Sequence, residues 1–486
     1  IDVKAKEYTQ EGSTYSEKKV KIEADKTVLN GSGTQAEELE VTGNLENNTT
    51  VYSTGNVTIG GNAKSKGQLL SEGTLEVKGN LESENLVYGK DEIKVGKNLT
   101  NKSDMQSENE ININGDVSNN GRILADKNLN IKGNTVNQGT LYGKDSIKIE
   151  KNLQTSGNVQ TSGDLSAKDT LNSGTVIAEG NITTENLDNS GEILTNEKLS
   201  TKNTDNRSTG KINTGNGINA SGNIKNQGTI NTNGDLKAEN LENNNIMNAG
   251  GTLTAKDVIN TGSLKVTDKI VSRGITFTNS GEILTENLDA DVSGNIINTG
   301  QLIVLDNAKL KGSSINNQNY ISAINMELIT TSLVNSGTLA ADEILKANNA
   351  FINNLGYIGS NQKIELNNTN LTNSGTIESA EVNMENISGY GNTGLINGNT
   401  VVLTSGGNLT LNGTLHGEDY LQINGLDILN SGITTGTGYI EIKGRDITNN
   451  TELASEIIVV EGTGSIVNNS MITGENGRIN GYNIIN

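Results

Sequence analysis

His416, in Leu415-His416-Gly417, is the only imidazole in a chain of 486 residues. A working acid–base or metal site needs partner groups at matching spacing, and none stands near it, so it reads as a surface or turn residue. The chain has no cysteine, which removes disulfides, thiolate metal sites and cysteine nucleophiles. Carboxylates are plentiful, but no Asp-x-Asp-x-Asn-Gly loop or Gly-Gly-x-Gly-x-Asp repeat presents them to calcium. Gly61-Asn62 and Gly406-Gly407-Asn408 are not phosphate cradles, because no helix follows them. Tyr52, Tyr88 and Tyr142 are separated by multiples of 18; on an exposed sheet they could stack on sugars or a receptor, or be strand-favouring decoration. Sequons such as Asn56-Val57-Thr58, Asn98-Leu99-Thr100 and Asn408-Leu409-Thr410 are expected by accident in a chain so rich in Asn and Thr. The sequence thus nominates no catalytic, cofactor or metal residue, predicts no enzyme and leaves binding residues unassigned.

What positions these residues is an internal repeat. Leu39/Val41 recurs as Val57/Ile59, Leu75/Val77, Ile93/Val95, Ile111/Ile113, Leu129/Ile131, Ile147/Ile149 and Leu165/Ala167, each step being 18 residues. Asn44, Asn62, Asn80, Asn98, Asp116, Asn134 and Asn152 form a second column. Val51, Leu69, Val87, Met105, Ile123, Leu141 and Val159 form a third, and the small residues Ser53, Ser71, Gly89, Ser107, Ala125, Gly143 and Thr161 a fourth. Beyond residue 170 the register loosens. Its marker becomes Asn-Ser-Gly or a close variant, starting at Asn172, Asn189, Asn226, Asn260, Asn279, Asn298, Asn335, Asn373, Asn392 and Asn430, with steps of 17 to 20 between consecutive coils and the larger gaps close to twice that.

Within a unit, apolar and polar residues alternate as in strands with one buried face. Gly, Asn, Asp and Ser punctuate the runs, where tight turns favour positive φ or side-chain-to-backbone bonds. Three short strands and three turns make one triangular coil. Stacked coils make an all-β, single-stranded parallel β-helix of roughly 26 coils. The general preference of parallel crossovers predicts a right-handed one. At about 4.8 Å per coil the rod would be about 125 Å long.

Composition agrees. There are 58 Gly but no Pro or Trp and only 2 Phe, and hydrophobic residues are 32 %. Proline would forfeit a ladder hydrogen bond, and large rings would overpack a narrow lumen. Roughly four or five aliphatic side chains per coil would each contribute about 1.5–3 kcal/mol before ordering entropy is charged. The Asn44–Asn152 column suggests an amide ladder, and Glu76 should face Lys94 one coil away. A net charge of −20 argues against a nucleic-acid partner, and no apolar run is long enough for a membrane helix.

The chain reads as one continuous solenoid over 1–486. Residues 1–170 are regular; 171–275 are polar and Asn/Thr-rich, with the register stretched over Thr201–Asn223; 276–486 have a period near 19. Ile1 opens directly into patterned sequence and Asn486 stops within it, so a fragment of a larger protein is expected. Both ends should then offer raw strand edges for end-to-end pairing.

The repeat grammar resembles a known family. Leu187-Asp188-Asn189-Ser190-Gly191-Glu192-Ile193, Leu371-Thr372-Asn373-Ser374-Gly375-Thr376-Ile377 and Gly406-Gly407-Asn408-Leu409-Thr410-Leu411 resemble the repeats of filamentous haemagglutinin-like exoproteins of two-partner secretion. The resemblance implies a right-handed β-helix exported through an outer-membrane transporter to a Gram-negative cell surface. It implies an adhesin contacting a host or bacterial receptor or glycan, or the filamentous stick of a contact-dependent growth-inhibition effector. An autotransporter passenger and a carbohydrate-active β-helix enzyme are the alternatives. The enzyme would need an Asp/Glu cluster with Lys or Arg, walled by a long loop.

Overall fold

A computed structural model describes all 486 residues, in two compact units, Ile1–Ala238 and Glu239–Asn486. Neither contains an α-helix, so no helix is long and apolar enough to cross a membrane, and every strand pairing is parallel. Each unit is a parallel β-solenoid. The face on which each coil begins has thirteen strands in the first unit and fourteen in the second, 27 coils against the roughly 26 read from sequence.

One coil of the first unit illustrates the build. Ala63–Ser65 forms the first face, Leu69–Ser71 the second and Thr74–Val77 the third. Leu75 pairs with Val57 behind and Ile93 ahead, then Ile111, Leu129, Ile147 and Leu165 follow in register. The column seen in the sequence is therefore a physical stack. Afterwards Leu165 pairs with Ile182 and Leu199 with Ile218, steps of 17 and 19. The stretch near Thr201 is a widened corner at Arg207–Gly210, closed by Gly210 N–H donating to the Arg207 carbonyl at 2.8 Å.

Corners continue the ladder rather than interrupt it. Gly61 N–H donates to Gly43 O at 2.9 Å and Gly79 N–H to Gly61 O at 3.0 Å, so proline is excluded from corners as well as strands. The corner glycines are required by proximity. A Cβ on Gly79 would lie 2.5 Å from Asn62 Oδ1 and 2.6 Å from Gly61 O. Positive φ, the expected reason, occurs only at Gly33 and Gly217 and at Asn349, Asn368 and Asn386. The small fourth column has a similar cause: a Cβ on Gly89 would meet Glu92 O at 2.7 Å and Ile93 Cγ1 at 2.8 Å, because the next corner folds over it.

The lumen mixes aliphatic side chains with buried polar ones. The coil from Ile93 buries four apolar side chains, Ile93, Val95, Leu99 and Met105, beside Asn101 and Ser107. In the second unit the step is near 19, as in Ile296–Ile315–Leu333–Ile352–Leu371. There the second and third faces often merge into one strand, such as Ser263–Ser272, Tyr320–Ile329 and Thr414–Asn424. In those coils three strands become two, while others, such as Asn295–Asn298, Gln301–Val304 and Asn307–Lys311, keep all three. Bulges at Val266/Lys269, Ala323/Asn325 and Gly398/Thr400 absorb the odd residue and bend the strand where a corner would stand.

Candidate functional site

Two features repeat along the coils, one inside and one outside. Inside the first unit, Asn101 Nδ2 donates to Asn119 Oδ1 at 2.8 Å, and Asn119 to Asn137 at 2.7 Å. The ladder resumes as Asn172–Asn189–Asn206–Asn226, at 2.8, 2.9 and 2.8 Å. In the second unit it runs unbroken from Asn243 through Asn260, Asn279, Asn298, Asn317, Asn335, Asn354 and Asn373 to Asn392, with every link 2.8–2.9 Å. Most of these amides also donate to corner carbonyls, as Asn298 does to Gly300 O at 2.9 Å and Tyr320 O at 3.0 Å. Each therefore ties a strand to two corners in a medium where an unmade bond is expensive.

The sequence placed an amide ladder at Asn44–Asn152, and the structure corrects this. Asn44 Oδ1 accepts the backbone N–H of Asn62 at 2.9 Å, and Asn62, Asn80, Asn98 and Asp116 repeat the bond to the coil ahead. These side chains sit outward at a corner, directly beside the N–H of the next coil. The ladder asparagines are instead those of the Asn-Ser-Gly marker. The missed signal was parity: in Leu187-Asp188-Asn189 the asparagine shares its side of the strand with buried Leu187.

The ladder has one internal break in the second unit, at Leu411, which pairs with Asn392 and Asn430. Asn392 Nδ2 is left with Thr414 O at 3.2 Å, and Asn430 Oδ1 takes Thr434 Oγ1 at 2.9 Å instead. In the preceding coil Tyr390 is in register with buried Leu371, and its hydroxyl is buried without a hydrogen-bond partner. Burial pushes that hydroxyl's pKa up, against a smaller opposing pull from the Asn392 side chain, which interacts with it without forming a well-aligned hydrogen bond. Tyr390→Phe is expected to stabilise the second unit by about 1 kcal/mol, because it removes an unsatisfied polar atom and keeps the ring. Slower amide exchange in coils 371–411 would confirm it; faster exchange would refute it.

Outside, Tyr52, Tyr88 and Tyr142 do share one column, with Leu70, Gln106 and Leu124 between them. Tyr88 donates its hydroxyl to Glu108 at 2.7 Å, which pushes its pKa up to about 12. His416 stands in a corresponding column of the second unit, between Asn397 and Thr435. Its ring contacts Thr435 Oγ1 at 3.0 Å and Glu418 at 3.1 Å, a surface arrangement with no further acid–base partner.

Charged side chains pair both across coils and along single strands. Lys94 reaches Glu92 rather than Glu76, although Glu76 is its register partner. Glu82 lies between Lys102 and Lys64, at 2.8 and 3.2 Å, and hydrogen bonding to Lys102 and then Lys64 holds its carboxyl down at about 2. Its contribution is present above the ordinary Glu value and is lost as pH falls through about 2. A Glu82→Gln variant should therefore be less stable than the parent at pH 6, with the difference vanishing towards pH 2. Urea unfolding at both pH values measures this, and the effect is small because the cluster is solvated.

A groove of about 690 Å³ runs over five coils of the first face between Asn152 and Lys225, with Asp169, Leu171, Asp188 and Asp205 along it. Arg207 binds Asp188 at 2.6 Å and Asp205 at 3.4 Å. No group of three or more His, Cys, Asp or Glu side chains is placed to hold a metal ion.

Fold and interior define the class: a repeat protein of the parallel β-solenoid type, compatible with a filamentous haemagglutinin-like β-helix. The chain matches no protein-family model, no curated protein and no solved structure.

Proposed function

We propose that the chain is a structural, adhesive segment of an extracellular filament of the filamentous haemagglutinin type. It would leave a Gram-negative cell through a two-partner outer-membrane transporter and hold a binding or toxin region away from the surface. The observation that carries this reading is the repetition itself: coil follows coil in parallel register, and no long loop walls off a site. Such a scaffold gains reach simply by adding coils, since each interacts only with its neighbours. Partners in this reading are the transporter, a receptor or glycan on a host or bacterial cell, and further copies of the chain end to end.

Beads coated with the purified chain test the reading. They should attach to epithelial or bacterial cells well above albumin-coated beads, and equal attachment would sink it. The second reading, a carbohydrate-active enzyme, is favoured by Asp188 and Asp205 standing side by side in the groove between Asn152 and Lys225. Against it, Arg207 already engages both carboxylates, and no long loop walls the groove. Release of reducing ends from a polysaccharide panel would decide for the enzyme.

A further inference from the structure

We propose that the outward column from Gln35 to Leu194 binds a neutral, linear polysaccharide laid along the coil axis, its sugar rings stacked on Tyr52, Tyr88 and Tyr142. This deepens the adhesive reading by naming the ligand class of one face, and it is tested separately from it.

The column runs Gln35, Tyr52, Leu70, Tyr88, Gln106, Leu124, Tyr142, Gln160, Ile177 and Leu194, one residue per coil in unbroken register. Every one of the ten is half-buried or exposed, and none is charged. The net charge of the chain is −20, and other outward columns carry charge freely. On the third face Glu40, Thr58, Glu76, Lys94, Asn112, Asn130 and Lys148 stack in the same way, with four charges in seven positions. Seven aromatic or aliphatic side chains and three glutamines, without a charge, form a surface that water alone does not require.

The shape of the strip selects the ligand. It is one side chain wide and about 43 Å long, roughly 300 Å². A stable protein interface buries about 800 Å² on each partner, so a second copy or a globular partner would find too little apolar area. An extended glycan is equally narrow. Tyrosine offers it a flat apolar ring, and glutamine offers both a donor and an acceptor for hydroxyls. Tyr52 and Tyr88 are two coils apart, about 10 Å, comparable to the repeat of an extended β-linked disaccharide. The Tyr88–Glu108 hydrogen bond holds one ring in place before binding. Glu72, Glu108 and Asp126 all act electrostatically on Tyr88, so a polyanion is repelled and a neutral chain is preferred.

Gel electrophoresis of the whole chain through immobilised hydroxyethyl cellulose, xylan or glucomannan, with polygalacturonate as the anionic control, tests this. At least one neutral polymer should retard it. Replacing the three residues together (Tyr52→Ser, Tyr88→Ser, Tyr142→Ser) should weaken retardation by about tenfold or more, while the corresponding Tyr→Phe changes retain it. No retardation by any neutral polymer, equal retardation of the serine variant, or retardation by polygalacturonate alone would overturn the proposal. If the serine variant does not fold, the parent protein decides: it has no tryptophan, so cellohexaose should alter its tyrosine emission, and an unchanged spectrum counts against it. Bead attachment without retardation would remove this assignment and leave the adhesive reading standing. Retardation without attachment would do the reverse.

Discussion

Deleting Asn80–Lys97, one full coil of 18 residues, is expected to leave a folded first unit with a cooperative transition close to the parent's. Asn98 then follows Gly79 as Asn80 did, and Leu99, Met105 and Ile111 take the lumen positions of Leu81, Val87 and Ile93. The ladder is affected little, because Asn101 replaces Ser83 in the same column. Deleting only Asn80–Tyr88, nine residues, removes the first-face strand Leu81–Ser83 and most of the second-face strand Val87–Gly89. The following strands must then change faces, and an odd shift also reverses inward and outward side chains. A loss above about 5 kcal/mol is expected, enough to unfold or aggregate the unit. Circular dichroism and urea melts of the two variants provide the comparison, and equal tolerance of both deletions would contradict coil-by-coil stacking.

The second large effect is expected at the middle of the amide ladder. Asn298 donates to Asn317 Oδ1 at 2.9 Å and to two corner carbonyls, and accepts from Asn279 at 2.9 Å. Asn298→Ala leaves several buried groups short of a partner at about 1–3 kcal/mol each, partly relieved by bonds the neighbours keep. Asn279, for example, still donates to Gln301 O at 2.8 Å. A net loss of about 3–5 kcal/mol is expected, read as accelerated amide exchange centred on coils 279–317. Asn295→Ala three residues earlier removes only exposed contacts with Ser313 and Ser314 and should cost under about 1 kcal/mol. If the two substitutions cost the same, the ladder has no special role. Leu411 makes the same point from the opposite side: the column accepts an apolar residue where Thr434 satisfies the asparagine that follows.

Much of this architecture was legible because a solenoid writes its geometry into its period. The eight registers from Leu39 to Leu165 in the sequence are the pairings of the third face, residue for residue. Alternation located the lumen and the absence of proline located the ladder bonds, since both follow from one backbone bonded to its own copy. Less legible were features that depend on distance between coils. Gly79 reads as a turn glycine, yet proximity to Asn62 and Gly61 excludes its Cβ. Glu76 opposes Lys94 in register, yet the ammonium turns to Glu92 along its own strand. Long side chains choose among several partners that spacing alone ranks equally.

The two asparagine columns mark the boundary between these kinds of knowledge. Sequence alone determined that Asn44 and Asn189 each belong to a stack, because recurrence at a near-constant interval requires only that chain segments repeat. Which asparagine bonds its own kind and which caps a backbone N–H was decided by tertiary structure, because that depends on which side of the coil wall each amide occupies. Inside, with no water to compete, one amide must satisfy the next; outside, the nearest free donor is the corner of the following coil.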